Sequence, residues 1–298
     1  MKKLLVVGGT GFIGYHIIKE AKKRNFKVSS ISKNKPKITR YLKEVKYIFV
    51  DFSNYNSLKK ELNEKYDFVI NAGGYGTNPK FGKEGNKLIY SHFQGLINLL
   101  RILPSKNVKK FIQIGSSAEY GNVNSPIKET AICLPRTPYS IAKYLCTEHL
   151  INLSIKNKYP VTVFRLFQVY GPKQDKNRVL PYLIDNCRKN KVFPTTKGNQ
   201  LCDFCFIDDV VLAIFKSLTS KKSNGEIINL GFGKPIKIKS LVNMVKKILS
   251  GGKPKLGGLK YKKGINMNNF PNINKAKKIL NWRPATSLLD GIKKTISS

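Results

Sequence analysis

The chain has 298 residues, 41% of them hydrophobic, which at roughly 150 residues per domain allows one large core and two lobes. It starts with two lysines and the apolar residues 4–7, far short of a signal peptide or membrane span. The five cysteines are scattered and odd in number, which is not typical of a secreted disulfide framework. We therefore expect a cytoplasmic protein without integral membrane segments.

The formal net charge of +38 suggests nucleic-acid binding, because clustered Lys and Arg release counterions from phosphate backbones. However, the basic residues are spread over the whole chain, and no aromatic-studded basic stripe accompanies them. An AT-rich genome would give such a composition, although it does not explain why acids are so few. We expect no nucleic-acid partner, and a positive surface that attracts small anionic substrates.

Metal binding is not favoured by the sequence either. Cys202 and Cys205 have the spacing of metal ligands, but no second pair exists and the three histidines lie far away in sequence. We therefore expect no metal site.

Short apolar runs alternate with helix-period segments from the first residue to about Thr219. The expected strands are residues 4–7, 26–32, 45–50, 68–72, 111–114 and 161–164. Helical patterns at 12–24 and 91–103 lie between them. This alternation predicts βαβ units, and hence a doubly wound parallel α/β sheet of the Rossmann type.

After Gly171 the alternation becomes irregular, with a helix-like segment at 180–190 and a Gly-rich stretch at 250–258. Such pieces suit a smaller C-terminal lobe for substrate over the carboxyl edge of the sheet. We expect residues 1–170 to form an NAD(P)-binding domain to which 206–232 return, and 171–298 to form mostly the substrate lobe.

The segment "GGTGFIG" spaces Gly8, Gly11 and Gly14 three residues apart, after a predicted strand and at the start of a predicted helix. The first glycine permits a tight turn, the second allows close approach of a pyrophosphate, and the third lets helix and strand pack. Free N–H groups at the start of the helix, around Phe12 and Ile13, would bind the anion. The sequence therefore predicts a dinucleotide site.

The ends of the next strands indicate which dinucleotide binds. In NAD-binding folds an acid at the end of the second strand binds the adenosine ribose, but here Ser32 and Lys33 stand there. A hydroxyl and a cation suit an additional phosphate, which favours NADP, with NAD as the alternative if Lys33 is only a surface lysine. Asp51 and Phe52 follow the third strand and Ala72 ends the fourth. We expect them at the adenine side, although Asp51 would equally suit a helix cap.

Tyr139 and Lys143 lie four residues apart in a helical stretch, so their side chains share one face. An ammonium group beside a phenol stabilises the deprotonated phenol and makes proton exchange near neutral pH feasible. The pair follows the fifth predicted strand, after which Ser116 comes. This position predicts acid–base chemistry at a carbonyl or an alcohol.

Taken together, these motifs make the chain similar to the extended short-chain dehydrogenases/reductases, the NAD(P)-dependent sugar-nucleotide epimerase/dehydratase/reductase superfamily. The resemblance covers nearly the whole chain. The matching motifs are "GGTGFIG" at 8–14, "GSSAEYG" at 115–121, "YSIAK" at 139–143, "RLFQVYGP" at 165–172, "DFCFIDDV" at 203–210 and "LNWRP" at 280–284.

The resemblance implies a catalytic trio and an assembly. By position, Ser116 binds the reacting oxygen, Tyr139 donates or accepts the proton, and Lys143 also holds the nicotinamide ribose. Family members often pair through a four-helix interface, so the resemblance also implies a homodimer.

Residues after Ser116 distinguish between the family's reactions. Family dehydratases carry an Asp–Glu pair there, whereas this chain has Ser117 and Ala118, and we expect Glu119 to point away in a strand-like segment. The resemblance then favours an NADP-dependent reductase of a 4-keto-6-deoxy nucleotide sugar. A nucleotide-sugar epimerase is the main alternative. A reductase of another carbonyl, or a cofactor-sensing binding protein, remains open.

For the substrate, the resemblance points to Ser117, Gln168 and Arg178, whose guanidinium matches a diphosphate. Cys202 departs from the family, which usually has Arg at this place. We expect Arg165, just after a strand, to be structural, and Trp282 to pack the C-terminal helix.

Overall fold

The computed structural model of the chain describes residues 1–74, 79–104, 107–261 and 264–298. The strands are β1 Lys3–Val7, β2 Lys27–Ser32, β3 Lys46–Phe49, β4 Phe68–Asn71, β5 Lys110–Ser116, β6 Val161–Leu166, β7 Gln168–Tyr170, β8 Val192–Thr195, β9 Leu201–Cys202, β10 Phe204–Phe206, β11 Glu226–Leu230, β12 Ile236–Lys237, β13 Lys253–Leu256 and β14 Asn268–Asn269. The helices are α1 Phe12–Lys23, α2 Tyr55–Glu61, α3 Lys83–Ile102, α4 Pro138–Asn157, α5 Val179–Arg188, α6 Ile207–Thr219, α7 Ile238–Leu249, α8 Asn274–Leu280 and α9 Leu288–Ile296.

Seven strands form the central sheet in the order β11-β6-β5-β4-β1-β2-β3. Every neighbouring pair is parallel. The direction of winding reverses between β1 and β4, where the crevice for a ligand forms in open α/β sheets. The predicted Rossmann-type fold is confirmed.

Helices cover both faces of the sheet, which is why β1 is apolar without interruption from Leu4 to Val7. Leu4 and Val6 face the side where α1 and α6 pack, whereas Leu5 and Val7 face α2, α3 and α4. All four side chains are at most 1% exposed. The alternation of side chains along β1 thus contributes to two cores, one on each face.

The six strands predicted for the sheet are present, and their ends differ only slightly from those expected. Strand β6 continues to Leu166, so Arg165 lies within the strand. The prediction that Arg165 follows a strand was therefore wrong. The sequence pattern also did not predict β11 as a strand, although it forms one edge of the sheet beside β6.

Smaller sheets lie beyond the central one. β8 pairs with β13, and β9 lies between β12 and β14. Trp282 is buried, and its indole N–H donates to the Asp209 carbonyl at 2.9 Å, which fastens the C-terminal segment to α6. Among the described residues, no helix has the length and apolarity needed to cross a membrane.

At the opposite end of the sheet from the carboxyl edge, Lys110 begins β5 and is only 2% exposed. Its ammonium group donates to the Ser223 hydroxyl at 2.8 Å, the Ser220 carbonyl at 3.2 Å and the Asn224 side chain at 2.5 Å. Burial lowers the pKa of Lys110 from 10.5 to about 7.

We predict that this pKa makes stability rise with pH. Between pH 7 and 10.5 the unfolded chain holds the Lys110 proton more tightly than the folded chain, so raising the pH favours folding. The free energy of unfolding in urea should therefore increase from pH 7 to pH 9 more in the wild type than in Lys110→Met. Lys109→Met, which alters an exposed neighbour paired with Asp67, is the control. Parallel changes in wild type and Lys110→Met would contradict the prediction.

Candidate active site

The carboxyl ends of β1, β2, β3, β4 and β5 meet at one edge of the sheet because the strands are parallel. Each predicted site element lies there. Gly8 follows β1, Ser32 ends β2, Asp51 follows β3, Ala72 follows β4 and Ser116 ends β5.

The glycine turn between β1 and α1 is tightly packed. Gly8 has φ +77°, and a Cβ there would lie 2.7 Å from the Ala72 carbonyl oxygen. A Cβ on Gly14 would lie 2.2 Å from the Gly8 carbonyl oxygen, whereas one on Gly11 would meet only that same oxygen at 3.2 Å. Gly8 and Gly14 are therefore required by packing, and Gly11 leaves room on the outer side of the turn.

The start of α1 fits an anion. Gly11 is its N-cap residue, no side chain caps the helix and its first turn has no acid. The free N–H groups around Phe12 and Ile13, with the partial positive charge of the helix N-terminus, suit a pyrophosphate. These residues fit a dinucleotide coenzyme.

At the end of β2, the Ser32 hydroxyl is buried, donates to the Ile31 carbonyl and accepts from the Thr10 N–H at 3.3 Å. Lys33 is exposed, and its ammonium group lies 3.0 Å from the Asp51 carboxylate. Burial alone would raise the pKa of Asp51, but hydrogen bonds from Ser53 and Lys33 hold it below its ordinary value. Asp51 and Lys33 thus form one ion pair at this edge of the sheet.

The other predicted coenzyme contacts flank this edge. The Ala72 N–H donates to the Val7 carbonyl, which continues the ladder between β4 and β1. The Phe52 ring occupies the space that the absent side chain of Gly95 leaves on α3.

Helix α4 brings Tyr139 and Lys143 together as predicted. Thr137 and Pro138 start the helix through a capping box and a proline in its first turn. The Lys143 ammonium group lies 6.0 Å from the centre of the Tyr139 ring and donates to the Ile114 carbonyl of β5 at 2.9 Å. Lys143 is buried and Tyr139 is half-buried, so the phenol lies between the core and the cleft.

Sequence reasoning missed His92 of α3. Its ring meets the Tyr139 ring edge-on with 6.1 Å between centroids, and its side chain is 4% exposed.

Residues 117–120 form a 3₁₀-helix, so the expectation of a strand-like segment was wrong. The Ser116 hydroxyl accepts from the Ala118 N–H at 3.2 Å and caps this turn. As expected, the Glu119 side chain points away from the cleft. The reason differs from the one expected, because the 3₁₀ turn directs this side chain into the core. Its carboxylate is fully buried and pairs with Arg165 at 2.8 Å.

Burial alone would lower the pKa of Arg165, but the Glu119 carboxylate reverses this effect and holds it above its ordinary value. The structural role that we expected for Arg165 is the role it has here.

The predicted substrate residues lie on three different elements, and Ser117 belongs to the 3₁₀ turn after β5. Gln168 begins β7 and is exposed, and Arg178 is the N-cap residue of α5. Ser117 is met by Asn269, whose side-chain amide lies 3.5 Å from the serine hydroxyl. Nothing in the Asn-rich stretch of sequence around Asn269 singled it out.

Cys202 lies in β9 beside Asn269 of β14. Burial, together with neighbouring Asp203, raises the pKa of its thiol to about 11, so the thiol is neutral at pH 7. In the described part of the chain, no group of three or more His, Cys, Asp or Glu side chains is placed to hold a metal ion.

Two residues that the sequence did not single out, Arg40 and His16, contact the loop after β7. The Arg40 guanidinium donates to the Lys173 carbonyl and pairs with Asp175 at 3.1 Å. A His16 ring nitrogen lies 2.8 Å from the Pro172 carbonyl oxygen, and burial lowers the pKa of this histidine. The loop after β7 is thus attached to α1 and to the segment after β2.

A family model described as "NAD dependent epimerase/dehydratase family" matches residues 4–231, more than half of the chain. The chain belongs to this family. It is therefore an NAD(P)-dependent enzyme of the extended short-chain dehydrogenase type, and the resemblance inferred from the motifs is confirmed.

Individual relatives agree with this assignment. The UDP-glucuronate 4-epimerase of Thermodesulfobacterium geofontis is 30% identical, with 98% of this chain and 94% of the relative covered. The crystal structure of a UDP-glucuronic acid 4-epimerase from Bacillus cereus, in complex with UDP-glucuronic acid and NAD, is 26% identical with a TM-score of 0.87, covering 99% and 98% of the two chains. A UDP-glucose 4-epimerase from Thermotoga maritima, 24% identical, shares the fold with a TM-score of 0.91, covering 99% and 97%.

The packing of the glycine turn predicts different effects for two substitutions. Gly14→Ala should destabilise the fold by about 1–3 kcal/mol or more, since its methyl group would collide with the Gly8 carbonyl. Gly11→Ala, whose methyl group would lie 3.2 Å from the Gly8 carbonyl oxygen, should cost less stability than Gly14→Ala but weaken binding of reduced coenzyme, measured by its fluorescence, by about tenfold or more. Unchanged coenzyme affinity in Gly11→Ala would show that no phosphate approaches this residue.

Proposed function

We propose that the protein is an NADP-dependent reductase that converts the C4 ketone of a 4-keto-6-deoxy nucleotide sugar into an alcohol. The observation that carries this proposal is that, in the part of the chain that the structure describes, no acid stands at the two positions after Ser116. Ser117 and Ala118 occupy the places of the dehydratase acids, and Glu119, the next candidate, is fully buried in an ion pair with Arg165. Elimination of water therefore lacks its acid–base pair, whereas reduction of a ketone does not need one.

Each member of the trio has a distinct role in this reaction. Ser116 polarises the ketone by donating a hydrogen bond to its oxygen, and Tyr139 delivers the proton to that oxygen. Lys143 keeps the phenol's proton mobile and holds the ribose. When bound, the reduced nicotinamide supplies the hydride.

The preference for NADP is supported by the end of β2. Ser32 and Lys33 stand where an acid would repel a 2′-phosphate, Lys33 supplies a cation there, and the nearby Asp51 carboxylate is paired with Lys33. Gly8, Gly11, Phe12, Ile13 and Gly14 would hold the pyrophosphate.

The substrate would lie between the two lobes. We assign the coenzyme to residues 1–170 and 206–232, a division supported by the pairing of β11 with β6, and the nucleotide sugar mostly to 171–298. Arg178 would contact the diphosphate, and Ser117 and Gln168 the sugar. Because the Cys202 thiol is neutral, cations other than a residue at this position would have to bind the negative charge of the diphosphate.

A nucleotide-sugar 4-epimerase is the second candidate, favoured by the names of the relatives. It would use the same trio to oxidise and then reduce C4 on one retained coenzyme.

One assay separates the two candidates. The protein is incubated with NADPH and a panel of GDP-, dTDP- and CDP-linked 4-keto-6-deoxy sugars, with UDP-glucose and UDP-glucuronic acid as epimerase substrates. A reductase consumes NADPH with a keto sugar, whereas an epimerase interconverts sugars without net consumption. If neither occurs, the proposed function is wrong.

Tyr139→Phe should retain the fold and coenzyme affinity but reduce turnover by about 10²- to 10⁴-fold, because the proton donor is lost. Tyr144→Phe, a half-buried tyrosine of the same helix, is the matched control and should remain active. Near-normal turnover in Tyr139→Phe would exclude the role assigned to Tyr139.

Lys33→Ala should weaken NADPH binding by about tenfold, the equivalent of one charge-assisted contact, and change NADH binding much less. The exposed neighbour Lys35 provides the control variant Lys35→Ala. Equal losses for the two coenzymes in Lys33→Ala would argue against a 2′-phosphate contact.

A further inference from the structure

The buried carboxylate of Glu119 connects the two elements that carry the trio. One of its oxygens accepts the backbone N–H of Ser116 at 2.8 Å. The other accepts the hydroxyl of Thr147 on α4 at 2.9 Å and the Arg165 guanidinium of β6 at 2.8 Å. The carboxylate thus bonds to the end of β5, to α4 and to β6.

Thr147 lies on the same face of α4 as the reacting side chains. It follows Lys143 by four residues and Tyr139 by eight, so the three side chains lie one above another along the helix. The Thr147 hydroxyl and the Ser116 N–H both donate hydrogen bonds to the Glu119 carboxylate. Together these two bonds fix the position of α4, along its axis, relative to Ser116.

The surroundings are built for this carboxylate. A Cβ on Gly115 would lie 2.6 Å from one Glu119 oxygen, so a larger residue there would displace it. Arg165 stands opposite Gly115 in the β5–β6 register, and its guanidinium also stacks 4.5 Å from the centre of the Tyr120 ring. Tyr120 is held in turn by Asn229 at 2.8 Å.

Lys143 also connects α4 to the end of β5, because its ammonium group donates to the Ile114 carbonyl. Lys143 has a second task in the proposed function, since it must also hold the coenzyme ribose. In the proposed function, Thr147 and Glu119 do not bind the coenzyme.

We propose that Glu119 is a positioning residue: it sets the distance between Ser116 and the Tyr139–Lys143 pair through the bond to Thr147. This rests on the proposed function, in which Ser116 and Tyr139 act on the same substrate oxygen. A small displacement between such groups can reduce turnover by up to about 10²-fold.

Thr147→Val tests this directly, because it removes the hydroxyl and keeps the shape of the side chain and the Glu119–Arg165 ion pair. We expect kcat to fall by roughly tenfold or more with the KM for coenzyme unchanged. Thr147→Ser, which restores the hydroxyl, should recover activity to within about twofold of the wild type.

The matched control is Thr162→Val. Thr162 is also fully buried, and its hydroxyl donates to the Ser223 carbonyl at 2.6 Å, far from the cleft. If Glu119 served stability alone, both Thr147→Val and Thr162→Val would lower stability and neither would lower kcat. That result would overturn the proposal.

Hydrogen exchange of the Ser116 amide, followed by NMR, gives a measurement that needs no substrate. In Thr147→Val this amide should exchange about tenfold faster than in the wild type and in Thr162→Val. Unchanged exchange would overturn the positioning role even if the wild type proved inactive in the sugar panel, an outcome that would refute the proposed function separately.

Discussion

The common direction of the seven central strands is the constraint on which the site depends. Because all of them are parallel, their carboxyl ends lie at one edge, and residues far apart in sequence meet there. Gly8 and Ser116 are separated by more than a hundred positions, yet each stands directly at the end of its strand. The helices that return the chain between strands cover both faces, so the same arrangement provides the core and the site.

Within this edge, the placement of acids decides which chemistry is accessible. A buried charge is tolerated when it is paired and hydrogen-bonded, and Glu119 has three donors from three different elements. An acid committed in this way is unavailable to a substrate. Beside Ser116, the Ser117 hydroxyl meets the Asn269 side-chain amide, and these two groups can hydrogen-bond to an oxygen but cannot remove a proton from carbon.

The fold, the glycine turn and the proximity of Tyr139 to Lys143 could be predicted from the sequence because each depends on local spacing. Strand and helix periods are read within about ten residues, and Tyr139 and Lys143 are one helical turn apart. The remaining contacts join distant segments. Glu119 meets Arg165, Asn269 meets Ser117, and Arg40 meets Lys173, pairs whose partners lie 46, 152 and 133 positions apart. No local pattern carries such information. The 3₁₀ turn that directs Glu119 inward is different, because Ser116 and Glu119 have the S-x-x-E spacing of a capping box, a local signal that was overlooked.

The tight packing around Gly8 and Gly14 has a consequence for how such turns evolve. A Cβ on Gly8 would lie 2.7 Å from the Ala72 carbonyl oxygen, and one on Gly14 would lie 2.2 Å from the Gly8 carbonyl oxygen. Both glycines are thus required by neighbouring protein atoms, and neither requirement depends on a ligand. A descendant that lost its catalytic ability would still be selected to keep both glycines, since it must still fold. Only Gly11, which faces outward, would be free to drift, so its retention or loss in a lineage would report whether a nucleotide is still held.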